Sequence, residues 1–424
     1  MRLVLALTLC VAGAAAAQDF TTLKGHGGPI MGIAVAPSGQ VATASFDNSV
    51  GLWTGREPTW LEGHAAAVTA LAFGGTGTLV SGSDDFTVRL WQGTTPRTLG
   101  EHLGKVASLA LSPDGGTVAS GSWDGSIRLW PLDGGPATTL PEPRANVTAV
   151  AYAPDGTRLY AATTKGELLA YDLASAETPR ALAQHGFGIN RLVVGDGWLA
   201  YGAVDGGTRV IDPETGAQIH DFTLDRRPIL SMAWHAPTGQ LAVGDGHGYI
   251  MMLDTTDWRI TRDFKATRQG PVWALAFSPD GQTIYAGGLD DVAYAWPVEM
   301  LGTFEPQIQG QRDFLRDPET MSNGERQFMR KCSICHALEP GASRKAGPTL
   351  AGVFGRPAGT VPDYRYSPIL QGSDIIWDET TIDALFDQGP DHYIPGSKMP
   401  MQVIAGATDR ADLIDFLKQS TRED

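Results

Sequence analysis

The sequence predicts two unlike domains in series: a large all-β domain built from seven copies of one unit, then a small all-α domain. Three observations carry this reading. A pattern of about 40 residues recurs from Phe20 to Met300. The 52 glycines among 424 residues favour a turn-rich, mostly β architecture. Near Glu305 the repetition stops, and helix signals follow a polar stretch. Length alone also argues for more than one domain, and an apolar share of 42% with 19% charged residues describes an ordinary globular chain.

Ahead of the repeats, residues 1–17 read as an export signal. Arg2 supplies the positive start, Leu3 to Val11 the apolar run, and Ala15-Ala16-Ala17 an A-x-A cleavage site before Gln18. The run is too short to span a hydrocarbon core of ~30 Å. Leu9 before Cys10, where a small residue is needed, speaks against a lipoprotein. No other stretch is apolar and long enough to cross a membrane, so the mature chain is expected in the periplasm and not membrane-spanning. A net charge of −15 excludes a nucleic-acid partner on electrostatic grounds.

Residues 18–300 hold the repeats. The first three copies each begin with a histidine in a turn (His26, His64, His102). An alternating strand follows, such as Ile30-Met31-Gly32-Ile33-Ala34-Val35, and then a turn, as in Pro113-Asp114-Gly115. Each copy runs on through an aspartate to Leu-Trp: Asp47 to Trp53, Asp85 to Trp91, Asp124 to Trp130. Copies four to six keep strands and turns but place Tyr171, Ile211 and Leu253 where tryptophan is expected. The seventh regains Trp296.

This pattern resembles the WD40 family over residues 20–300. The resemblance implies a β-propeller of seven four-stranded blades around an axis. Thr21–Lys24 is expected to be the outer strand of the last blade, closing the ring and removing a free sheet edge. A set such as His64, Ser83, Asp85 and Trp91 looks catalytic. Its recurrence at one phase in three copies, and its role in the family, imply instead a buried hydrogen-bond network. His185, His220, His235 and His247 show no metal-ligand spacing and are expected to be solvated or hydrogen-bonded loop residues.

Residues 301–321 read as a linker, polar from Glu305 to Thr320, and residues 322–424 as the second domain. Ser322-Asn323 before Gly324-Glu325 marks a helix start. Cys332-Ser333-Ile334-Cys335-His336 is the attachment signature of a c-type haem, the thiols bonding the vinyl groups and the imidazole reaching the iron. With Cys10 removed, these are the two cysteines left. A disulfide or a thioredoxin-like redox pair is the competing reading, but nothing around Cys332 reads as a βαβ unit. The export signal agrees with haem attachment, which in bacteria occurs outside the cytoplasm. Met399, in Ile394-Pro395-Gly396-Ser397-Lys398-Met399-Pro400, is the candidate second axial ligand, with Met401 its competitor.

From residue 322 to 420 the chain resembles class I cytochromes c of the mitochondrial and α-proteobacterial type. Gly324 and Phe328 match the first helix, and Arg410 to Leu417 the last. The resemblance implies one covalent haem c per chain, His336 as proximal ligand, and Pro348 as the acceptor for its other ring N–H. It also implies that Arg356 neutralises a propionate, that Tyr366 and Trp377 donate to the propionates, and that Ser397 stands for the usual threonine beside Met399. Leu370 stands where the family often has asparagine, and Leu385 or Phe386 where it has a tyrosine, so its internal water network should be altered. Lys331, Lys345 and Lys398 remain of the lysine ring at the haem edge, and Asp391 and His392 thin it.

The reading is thus an electron-transfer protein with a redox donor and acceptor, not an enzyme, whose propeller docks a protein partner. The alternative is a redox enzyme with a second cofactor or active site on the propeller. Enzymes of that kind do not use the histidine-to-tryptophan repeat, and no cluster of acid, base or ligand residues converges here.

Overall fold

The computed structural model describes residues 21–300 and 320–421, apart from 75–76, 142, 144, 176, 224–226, 268–269, 342–343 and 363. The expected export signal and nearly all of the expected linker lie outside the described residues.

Seven four-stranded antiparallel sheets form from Thr21 to Pro297. Blade 1 runs outward through Ile30–Val35, Val41–Ser45, Ser49–Thr54 and Glu57–Glu62. Blades 2 to 6 repeat this order in sequence. Blade 7 takes three strands from Val272–Phe277 to Val292–Pro297, and Thr21–Lys24 pairs with its last strand, Leu23 opposite Ala293. The ring therefore closes by pairing the first strand with the last, as expected.

Each blade shares a feature that strand alternation does not reveal. The innermost strand carries a register shift just after its first residue, and that residue is β-branched in all seven blades: Ile30, Val68, Val106, Val147, Ile189, Ile229 and Val272. All seven are fully buried. The bulge turns this side chain toward the preceding blade, where a glycine commonly receives it. A Cβ at Gly287 of blade 7 would meet Ile30 at 2.5 Å, and one at Gly121 of blade 3 would meet Val147 at 2.5 Å. The β-branched residue meets a glycine of the preceding blade at five of the seven junctions, and two of these glycines, Gly202 and Gly244, lie in copies that lost their tryptophan.

In blades 1 to 3 the histidine networks are structural, with one correction. In blade 2 His64 Nδ1 pairs with Asp85 at 2.9 Å and Nε2 lies 2.7 Å from the hydroxyl of Ser81, which also accepts from Trp91 Nε1 at 2.8 Å. The serine of the network is thus Ser81, not Ser83. Ser83 accepts instead from the Asp85 amide and ties down the turn. The reason is register: the two serines share a face of the strand, but Ser81 stands directly across from Arg89, beside the strand that carries Trp91, while Ser83 has reached the strand end. Thr43 and Ser120 fill the same place in blades 1 and 3.

Blade 5 keeps a rearranged pair that the sequence did not disclose. His185 Nε2 meets Asp205 at 3.1 Å, and Arg209 supplies a second partner to that carboxylate at 3.0 Å. His235 is buried and hydrogen-bonded to Thr238 and the Pro279 carbonyl. His247 accepts from Arg227. His220 lies in a strand, stacked on Phe222. Where tryptophan is lost, Tyr171 donates its hydroxyl to the Pro141 carbonyl, and Ile211 and Leu253 pack as plain core.

The second domain is helical. Its helices are α1 (Asn323–Lys331), α2 (Pro368–Gln371), α3 (Glu379–Gln388), α4 (Pro390–Tyr393) and α5 (Ala407–Ser420). Ser322 caps α1, its hydroxyl accepting from the Glu325 amide. Helices α1 and α5 cross at Gly324, where a Cβ would fall 2.0 Å from the Asp412 carbonyl oxygen. That contact brings Phe328 to Phe416, ring centres 5.5 Å apart, and buries Leu413 and Leu417 completely or nearly so. Among the described residues no helix is long and apolar enough to cross a membrane.

Candidate functional site

The site is a cavity of about 340 Å³ enclosed by the helical domain and closed on one side by the propeller. The chain reaches it four times. The turn after α1 brings Cys332, Cys335 and His336. The segment after it brings Pro348 and Arg356. Tyr366 and Trp377 follow, and the loop after α4 brings Ser397 and Met399. All nine residues singled out from the sequence line this one space.

The end of α1 sets the first group. The amides of Cys335 and His336 both donate to the Cys332 carbonyl, winding the C-x-x-C-H segment into a tight turn. Both cysteines are free, Cys332 buried and Cys335 partly so. Burial pushes the Cys332 thiol up to about 12 and raises that of Cys335 too. A pair so strongly biased to the protonated form is badly placed for thiolate redox exchange.

His336 is oriented by a single bond: its Nδ1 donates to the Pro348 carbonyl at 2.8 Å. Nδ1 therefore carries the proton, and Nε2 is left as a lone-pair donor. Burial lowers the imidazole pKa, which keeps the ring neutral and able to bind a metal. Gly347 makes the approach possible, since a Cβ there would lie 2.4 Å from the ring.

On the other side of the cavity Met399 packs into the apolar core, while Met401 is 53% exposed. The geometry separates the two methionines. Leu385 and Phe386 on α3, together with Leu370, make this side apolar.

Arg356 donates to the carbonyls of Ala351 and Thr349, at 2.6 and 2.8 Å, which fixes the guanidinium in the wall. The Trp377 amide donates to the Arg356 carbonyl at 3.0 Å, holding the two side by side. The hydroxyls of Ser397 and Ser367 line the cavity, are buried, and have no hydrogen-bond partner among the described residues. Such orphaned donors suit a ligand that is apolar at its centre and anionic at one edge.

Two features of the cavity escaped the sequence. Tyr364 lines it as well, donates to the Ala346 carbonyl at 2.7 Å and meets Tyr366 edge to face at 4.7 Å. The signal was there, because Tyr364 and Tyr366 lie two apart in a non-helical stretch. The propeller residues Phe46, Asn48, Ala65, Ala66, Ala67 and Asp84 also line the cavity, and nothing in their sequence announces it.

A C-x-x-C-H turn, an oriented imidazole and an apolar cavity with a polar edge define a haem protein built for electron transfer. Comparison with known proteins agrees. The family "Cytochrome c" matches residues 321–421, and "WD domain, G-beta repeat" matches 18–54, 56–92, 93–131 and 258–296. Residues of the C-terminal domain are 43% identical over 105 residues to cytochrome c of Sesamum indicum, covering 24% of this chain and 93% of that protein. Cytochrome c of Gossypium barbadense is 43% identical over the same span and shares. That of Chlamydomonas reinhardtii is 39% identical over 101 residues, 24% of this chain and 89% of that protein. The chain belongs to the cytochrome c family through its C-terminal domain, joined to a seven-bladed WD40 propeller.

Proposed function

We propose that this chain is a periplasmic electron carrier, not an enzyme, with one haem c bound covalently through Cys332 and Cys335 and ligated axially by His336 and Met399. The observation that carries the reading is the convergence of these four side chains on one cavity, with the imidazole held by Pro348. The residues present fit the group: the apolar walls accept a macrocycle, and Arg356, Tyr366, Trp377, Ser397 and Ser367 offer charge and donors to its carboxylates. Haem supplies a one-electron iron couple. The protein's part is to fix the ligands, keep water from the centre and set the charge nearby. A thioether opposite an imidazole raises the reduction potential. Export is supported by the Arg2, Leu3 to Val11 and Ala15-Ala16-Ala17 pattern.

The propeller serves as a scaffold for a redox protein that exchanges electrons with the haem. Phe86, Leu103, Trp123 and Phe187 stand out from turns on the propeller face that borders the cavity, between 43% and 85% exposed. Phe86 holds φ 73°, where the matching turns carry Asn48 or Gly125. A bulky residue kept in that region costs of order 1–3 kcal/mol, which is easier to understand as a contact surface than as a fold requirement.

The test is a visible spectrum of chain matured in a periplasm competent for haem c attachment, oxidised and then reduced, with a pyridine haemochrome. One haem c per chain and the weak near-infrared sulfur-to-iron band of the ferric state are expected. A haem-free product, or a ferric spectrum without that band, overturns the ligation.

A further inference from the structure

An ion pair, with opposite charges nearby, joins the cytochrome domain to the wall that the propeller contributes. Arg344 of the cytochrome domain donates to Glu62 of blade 1 at 3.0 Å, and its guanidinium lies 4.1 Å over the Trp60 ring. Lys345 and Lys398 donate to the Ser333 and Arg365 carbonyls of their own domain, but Asp291 of blade 7 and Asp85 of blade 2 are near enough to oppose in part the lowering that burial imposes on the two amines. In all three cases the cytochrome residue is basic and the propeller residue acidic, and one of them, Lys398, lines the cavity. Complementary charge of this kind steers docking and fixes its register. The backbones meet closely as well: a Cβ on Gly27 would sit 2.3 Å from the Arg344 carbonyl carbon, so glycine alone fits there. Asp84 faces the cavity with Oδ1 buried and no hydrogen-bond partner among the described residues.

We propose that the propeller is an intramolecular lid on the haem cavity: the acidic turns of blades 1, 2 and 7 occupy the basic surface through which the cytochrome domain exchanges electrons. Its own propeller thus takes the seat of a redox partner. A donor or acceptor gains the haem by competing for Arg344, Lys345 and Lys398, and a small solute reaches it only when the lid opens. The proposal rests on the haem reading above. It assigns to the propeller a control over access that neither domain shows alone.

Two variants lift the lid in different ways. Gly27→Val puts a branched side chain against the Arg344 backbone without touching a charge. Glu62→Arg breaks the ion pair, and adding Arg344→Glu in the same chain restores it with the original net charge. Two readouts are taken on the full chain. The first is the second-order rate at which the ferrous haem gives one electron to hexacyanoferrate(III), yielding ferric haem and hexacyanoferrate(II). The second is amide hydrogen exchange over residues 65–67 and 344–348, measured with and without haem. The expected rate increase is on the order of tenfold for Gly27→Val, the scale of overpacking a tight contact. For Glu62→Arg it is about two- to fivefold, as one half-exposed ion pair supports. The double swap should return the rate to that of the parent, and exchange should rise and fall with it.

Equal rates and equal exchange in all four chains, with a normal haem spectrum, overturn the lid and leave the electron-carrier reading standing. A Glu62→Arg rate increase with no matching rise in exchange also overturns it, since the added positive charge alone would then act on the anionic oxidant. A spectrum without haem overturns the functional reading and the lid with it.

Discussion

The two domains specify themselves in opposite ways. The propeller says the same thing seven times, and the cytochrome domain says each thing once. In the propeller a β-branched residue fits a neighbouring glycine around the ring, and histidine, aspartate, hydroxyl and tryptophan recur in three blades. Losing the tryptophan in blades 4 to 6, and the histidine–aspartate pair in blade 4, left the fold intact. The cytochrome cavity has one His336, one Pro348 carbonyl behind it and one methionine, partly buried, in its wall. Repetition makes a residue dispensable for the fold, and convergence makes it indispensable for the chemistry.

The sharpest test of that contrast sets His336→Ala against His64→Ala. The first should abolish the low-spin haem spectrum and cut haem incorporation by more than about tenfold, since it removes the oriented ligand. The second should leave the spectrum untouched. It should lower the stability of the chain by about 1–3 kcal/mol, because it strands partners of a buried network. A haem spectrum that changes with His64, or survives without His336, breaks the comparison.

Next in size is Met399→Ala. The expected product keeps its covalent haem, loses the near-infrared band of the ferric state, and shows a lower reduction potential in a spectroelectrochemical titration. Met401→Ala, on a side chain that is half exposed, should change neither.

The same contrast explains what could be read in advance. Repeats announce themselves, so the ring, its closure by Thr21–Lys24 and the structural role of His26, His64 and His102 were legible in the sequence. The motif around Cys332 was legible because few residues bound the chemistry so tightly. Two kinds of feature were not. Choosing Ser81 over Ser83 needs strand register, which a pattern with serines at both places leaves open. The wall made by Phe46, Ala65 and Asp84 needs the distance between domains, which sequence order hides.

A smaller effect probes blade 2 alone. Ser81→Ala removes the hydroxyl shared by His64 Nε2 and Trp91 Nε1, leaving buried ring nitrogens without a partner. The expected cost is about 1–3 kcal/mol, read as a lower midpoint in urea. Ser83→Ala, which loosens a turn, should cost less. The reverse order would restore the first assignment of the network.

The smallest effect separates blade 3 from blade 4 by pH. Burial opposes ionisation of Asp124, yet donors from the Leu103 amide, the Ser126 hydroxyl and amide, and His102 outweigh it and hold the carboxyl at about 2. Asp47 and Asp85 are lowered in the same way, against burial, by their histidines and neighbouring donors. A carboxyl lowered on folding contributes stability that is complete above the unfolded pKa of about 3.9 and is lost as pH falls through the folded value. Burial also lowers His64 and His102, so the unfolded chain takes up protons first as pH drops below about 6.5. Both terms have the same sign: acid loosens the blades that carry a histidine and aspartate. Blade-resolved hydrogen exchange should therefore show protection falling in residues 102–126 before residues 147–172, where blade 4 lacks the pair. Simultaneous loss in both would mean that the ring opens as one unit, and that the networks add no local stability of their own.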